Sequence, residues 1–95
     1  MTRVLFTGGG GAGGEAIVRL LGERYTVFLA DADPQRITTA IPFNQRYRVP
    51  LASASNFVDE VEKLCDLLHI DVLIPGVDEE LLKLVEINNT KVLLP

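Results

Sequence analysis

Six of the eight glycines fall within seven consecutive positions, Gly8 to Gly14, interrupted only by Ala12. They follow an apolar run of strand length, Arg3 to Thr7, and precede a stretch whose apolar residues recur at helical spacing. A strand that turns through bare glycines into a helix leaves few architectures open. The turn sets free N–H groups at a helix start beside a backbone that a ligand can approach closely. A phosphate, carboxylate or bicarbonate suits such a turn.

The rest of the chain repeats this alternation. Tyr25 to Ala30, Arg46 to Val49, Asp71 to Ile74 and Lys91 to Leu94 are further segments of strand length. All but Arg46 to Val49 are nearly continuous in Val, Leu, Ile and Phe, the pattern of strands buried on both faces of a parallel sheet. The weaker one belongs at an edge. Between them the period turns helical. Ile17, Leu20, Leu21 and Arg24 form one stripe, with Val18 beside it, facing the sheet. Asp33-Pro34 opens a short second helix carrying Ile37, Ala40 and Ile41 until Pro42 stops it. A third follows Ser55-Asn56 with Phe57, Val61, Leu64, Cys65 and Leu68 inward, and a fourth opens near Asp78-Glu79-Glu80 with Leu81, Leu84 and Val85 inward until Asn88-Asn89. The expected fold is α/β, a Rossmann-like, doubly wound parallel sheet of five strands in the order 3-2-1-4-5. At 95 residues it makes one domain, 1–95. The stop at Pro95, just after the last strand, suggests the N-terminal fragment of a longer chain.

Charge and composition exclude several partners. Nine Lys and Arg stand against thirteen Asp and Glu, a formal net charge of −4, and the basic residues are scattered. A nucleic-acid backbone or an anionic membrane surface would need them clustered. No apolar run approaches the roughly 18 residues of a spanning helix, and the reading is of a cytosolic protein. One cysteine and one histidine make neither a disulfide nor a zinc cage. Cys65 reads as a small buried hydrophobe, and His69 as a cationic cap at its helix end. Oligomeric state is left open by the sequence, and a homo-oligomer fits as well as a monomer.

Two ligand readings arise from the glycines themselves. Gly9-x-Gly11-x-x-Gly14 matches the dinucleotide fingerprint, and Asp31 stands about 20 residues beyond, where a ribose-binding carboxylate belongs. This reading makes the chain the NAD(P)-binding domain of a short-chain dehydrogenase or epimerase, with Asp31 the cofactor-binding residue. So many glycines satisfy several spacings at once, Gly8-x-Gly10-x-x-Gly13 among them, and Asp31 reads equally as a polar residue ending a buried strand. A free-standing domain that binds a small anion or docks a partner chain is a further reading.

The stretch Asp71-Val72-Leu73-Ile74-Pro75-Gly76-Val77-Asp78-Glu79-Glu80-Leu81 resembles the D-x-x-I-P-x-x-D-x-E-L segment in the N-terminal, pre-ATP-grasp domain of ATP-grasp ligases, above all relatives of the carbamoyl-phosphate synthase large subunit. The glycine turn, Asp31-Ala32-Asp33-Pro34, Val49-Pro50 and Phe57-Val58 fit the same resemblance, which spans the whole chain. It implies a ligase that activates a carboxylate with ATP and passes it to an amine. Within that ligase this domain is the substrate-side wall, inactive alone. ATP and Mg2+ would be held by further domains in cis, with none expected on this chain by itself, and the partners are the small carboxylate and amine substrates. The site residues it implies are Gly9, Gly10, Gly11 and Gly13 of the turn, Glu15 just after it, and the acidic pair Asp78 and Glu80. As residues alone, Glu15, Asp78 and Glu80 read equally as acids compensating helix dipoles.

Overall fold

A computed structural model describes residues 1–85 and 91–92. Strands β1 (Arg3–Thr7), β2 (Thr26–Asp31), β3 (Arg46–Arg48) and β4 (Val72–Pro75) form a parallel sheet in the order β3-β2-β1-β4. A two-residue strand β5, Lys91–Val92, pairs parallel with β4 at Val72 and Leu73. The remainder of that expected strand, Leu93 and Leu94, and the Asn88-Asn89 break lie outside the described residues. Helices α1 (Ala12–Leu21), α2 (Phe57–Leu68) and α3 (Asp78–Leu84) complete the fold.

Central strands alternate their side chains between two apolar cores, as the period of two requires. Leu5, Phe28 and Leu73 face α2 and α3, where Phe57, Val61, Cys65, Leu68 and Leu84 meet them. Phe6, Val27 and Leu29 face the opposite side, against Ile17, Val18 and Leu21 of α1 and Ile37 and Ile41 of the β2–β3 connection. Cys65 is buried as expected. β3, with an exposed end and a single partner strand, is the edge.

The second expected helix does not form. Asp33 accepts the N–H of Gln35 and starts only a 3₁₀ turn, Pro34–Arg36. Ile37 then goes extended (φ −74°, ψ 137°), and a second 3₁₀ turn, Phe43–Gln45, leads into β3. Two β-branched threonines in succession and Pro42 leave too little helix-forming chain to offset nucleation.

Two further corrections concern single faces. Leu20, expected against the sheet, is 74% exposed. The buried stripe of α1 is instead Gly14, Ile17, Val18 and Leu21, at i, i+3, i+4 and i+7. On α3 the inward residues are Glu80 and Leu84, while Val85 is exposed and Leu81 only half-buried. His69 does end α2, but through its backbone. It adopts the left-handed conformation (φ 53°) that a helix C-terminus often requires, and its N–H donates to the carbonyls of Cys65 and Asp66.

Candidate functional site

At the C-terminal edge of the sheet, β1 leads to α1 on one face and β4 leads to α3 on the other, so the chain parts and leaves a crevice between them. Open parallel sheets bind ligands at such a switch point. The crevice encloses about 240 Å³. Gly8, Asp31 and Arg36 line one side, and Val77, Glu79 and Glu80 the other.

Asp31, the last residue of β2, is held from two directions. Its Oδ2 accepts the N–H of Gly10 at 2.8 Å and its Oδ1 that of Asp33 at 2.9 Å. Ile37 forms an isolated antiparallel bridge with Gly10, and the N–H of Gly11 donates to the carbonyl of Arg36 at 3.2 Å. The segment after β2 is therefore strapped across the glycine turn, and the carboxylate of Asp31 is the clasp. Gly9 is likewise engaged, its N–H donating to Ala30 in the ladder.

Glu80 closes the other side. It is 5% exposed and accepts the hydroxyl proton of Thr7, itself fully buried, at 2.9 Å. Burial pushes its carboxyl above the usual range, and the charge of Asp31 adds to that, while hydrogen bonds from Thr7 and from the amides of Gly76 and Val77 pull the other way. An added Cβ on Gly8, which sits at φ +65°, would lie 3.2 Å from Glu80 Oε1. Lys83, one turn on, donates to the carbonyl of Ala52, so α3 is tied both to β1 and to the segment after β3.

The geometry also decides which of the overlapping glycine spacings is structural. Gly14 packs on the turn so closely that a Cβ would stand 1.9 Å from the oxygen of Gly9, and Gly11 is the N-cap of α1 at φ 93°, where a Cβ would meet only the Arg36 guanidinium at 3.8 Å. Those are the close-packing and ligand-approach roles of a Gly9-x-Gly11-x-x-Gly14 turn. Gly13, by contrast, is exposed with ordinary contacts.

Not all the expected residues converge. Gly9, Gly10, Gly11, Asp31 and Glu80 gather at or beneath the crevice. Glu15 does not: the inward position in that turn belongs to Gly14, so the next residue swings to the outer flank beside Thr38 and Ala40. Asp78 is the exposed first residue of α3 and lies outside the crevice lining, where it serves the helix dipole. Thr7, Arg36 and Glu79 also belong to the site, although none of them is among the site residues expected from the sequence. Thr7 alone carried a signal, a hydroxyl closing an otherwise apolar strand.

No known family's sequence profile matches this chain, and no curated protein matches it in sequence. Among solved structures it is similar to dTDP-glucose 4,6-dehydratase from Bacillus anthracis in complex with NAD, at TM-score 0.58 and 18% identity over 81% of this chain. A protein from Listeria innocua is similar at TM-score 0.52 and 16% identity over 80% of this chain. The chain spans 27% and 32% of those two proteins. At such identities the likeness establishes a Rossmann-like α/β fold. Among the described residues no helix is long and apolar enough to cross a membrane.

Proposed function

We propose that this chain is the N-terminal, substrate-side domain of an ATP-dependent ligase of the ATP-grasp type, related to carbamoyl-phosphate synthase, and that β5 completes its sheet in the order 3-2-1-4-5. The observation that carries the reading is Glu80. The acid of the D-x-E-L stretch is turned into the fold, bonded to Thr7 and set against Gly8 at the switch point. With Asp31 and Glu79 it gives the crevice three carboxylates against the single Arg36. Such a field favours an amine or ammonium group over a pyrophosphate. The residues here do not suit ATP or Mg2+. The amides of Gly9, Gly10 and Gly11 already have acceptors, and among the described residues no three of His, Cys, Asp and Glu group to hold a metal. This domain's part is to bind and orient the amine-side substrate while other domains supply the nucleotide chemistry. The test is ADP release by the natural gene product with Mg-ATP and pooled carboxylic acids and amines. Turnover that needs both pools supports the reading. Hydride transfer with NAD(P) and no ATP turnover overturns it.

A second reading, the NAD(P)-binding domain of a dehydrogenase or epimerase, is favoured by the roles of Gly9, Gly11 and Gly14 and by likeness to a dehydratase that is itself complexed with NAD. The two differ at Asp31. A ribose diol would have to share a carboxylate whose two oxygens already hold Gly10 and Asp33.

A further inference from the structure

Helix α3 is held to the rest of the fold by few groups. It has seven residues, its N-cap Val77 makes no side-chain hydrogen bond, and its buried residues are Glu80 and Leu84 alone. An isolated helix of that length does not persist in water, so its place depends on those anchors. Leu84 is fully buried in the core against α2. The other anchor is a carboxyl. Lys83 adds a tie from an exposed position, to the carbonyl of Ala52, while Leu82 and Val85 are exposed.

How firmly Glu80 anchors the helix depends on its charge. Neutral, it is a hydrogen-bonded polar group in the core; ionised, it loses hydration that the Thr7 hydroxyl and the amides of Gly76 and Val77 must replace. The surrounding charges do not make up the difference. The end of β1, the glycine turn, β4 and the segment after β3 present none to the crevice, and no charged residue of α2 lines it. The end of β2 presents the like charge of Asp31, and α3 itself adds Asp78 and Glu79. Arg36 lines the crevice without an ion pair to Glu80, and Lys83 is engaged at Ala52. We infer that α3 is a proton-operated latch on the crevice. With Glu80 neutral it closes against Thr7 and Gly8; with Glu80 ionised it swings out as a unit, widening the crevice while the sheet stays folded. The latch acts whatever the crevice binds, so it does not rest on the ligase reading. In the open state Glu80 meets water and titrates near 4.5, whereas in the closed state burial holds its proton to higher pH. Closure is therefore fully favoured below about 4.5 and weakens as pH rises through the closed-state value. Across that window the opening constant rises by up to about tenfold per pH unit.

The test is native-state hydrogen exchange at several pH values, corrected for the intrinsic pH dependence of exchange, with and without low urea, for wild type and Glu80→Gln. The titration of the Glu80 carboxyl is followed in parallel by 13C shifts. Glu80→Gln keeps the size and the acceptor for Thr7 and removes the titration. Three results together bear the inference out. Amides of residues 81–84 exchange about tenfold or more faster than those of residues 4–6 and 27–30, and without their urea dependence. They accelerate by up to about tenfold per pH unit where the Glu80 carboxyl titrates, and Glu80→Gln abolishes that acceleration. Exchange of residues 81–84 at the rate and urea dependence of the strands overturns it, because α3 then opens only with the whole domain. So does a pH dependence that persists in Glu80→Gln, or one that misses the Glu80 titration in wild type, a comparison that decides the matter even if the variant does not fold.

Discussion

Gly13 and Gly14 are neighbours in the first turn of α1, and alanine should act in opposite directions at the two. On helix propensity alone both changes stabilise, by up to about 1 kcal/mol. At Gly13 a Cβ meets only the ring of Phe6 at 3.6 Å, so that gain survives. At Gly14 it would stand 1.9 Å from the oxygen of Gly9 and 2.9 Å from its carbonyl carbon. Both atoms are backbone, and the turn that carries them is pinned by the Ala30 ladder bond and by Asp31. Helix α1 must instead retreat by more than about 1 Å, loosening Ile17, Val18 and Leu21 from the sheet. Overpacking of this kind costs roughly 1–3 kcal/mol and sometimes more, and because the propensity gain is common to both, Gly14→Ala should fall about 1–3 kcal/mol or more below Gly13→Ala. Urea unfolding followed by circular dichroism reads this directly, because a chain of this size loses about 1 kcal/mol per molar urea, and the midpoints should differ by about 1–3 M or Gly14→Ala should show no folded baseline. Midpoints within about 0.5 M of each other would refute the close-packing role assigned to Gly14 and the choice among spacings that rests on it.

Three other perturbations address the crevice. Glu80 titrates above its unfolded value, so the native state holds the proton more tightly; its contribution to stability is full below the unfolded value near 4.5 and is lost as pH rises through the raised native one. Glu80→Gln should therefore flatten the stability–pH curve by up to about 1.4 kcal/mol per pH unit across that window, and parallel curves for variant and wild type would contradict it. Thr7→Val leaves the buried carboxylate short of a donor and should cost about 1–3 kcal/mol in chemical denaturation, more at pH 7 than at pH 4. Asp31→Asn halves the acceptor pair that holds Gly10 and Asp33, and faster hydrogen exchange confined to residues 8–11 and 33–37 is the expected result; uniform acceleration would mean that Asp31 is no clasp.

Much of this architecture can be read from the pattern of residues. Continuous apolar runs such as Val4-Leu5-Phe6 and Val27-Phe28-Leu29 announce strands covered on both faces, and the glycine turn places the first crossover. Face assignments are harder. The stripe of α1 begins at Gly14, which carries no side chain to count, so the pattern anchored on Ile17 alone admitted Leu20 and missed the true phase. Glu15 is expected at the site from the resemblance alone, and it lies on the outer flank because Gly14 holds the inward position. Ile37 and Ile41 signalled burial correctly but not helix, since a strap bonded to Gly10 and Gly11 buries them as well. Glu80 lies four residues before Leu84 on one face of α3, a spacing that marks it as inward, but a carboxylate at that place is expected outside until its partner Thr7 is seen.

The central claim is that the switch-point crevice serves an amine-bearing substrate and is not a dinucleotide site. Calorimetric titration of NAD and NADP into this chain and into Asp31→Ala, with the variant's fold checked by circular dichroism, tests it most directly. The account predicts no micromolar binding of either dinucleotide and no change on removing the Asp31 carboxylate. Micromolar binding of either dinucleotide, abolished in Asp31→Ala, would contradict it and make the chain a cofactor domain.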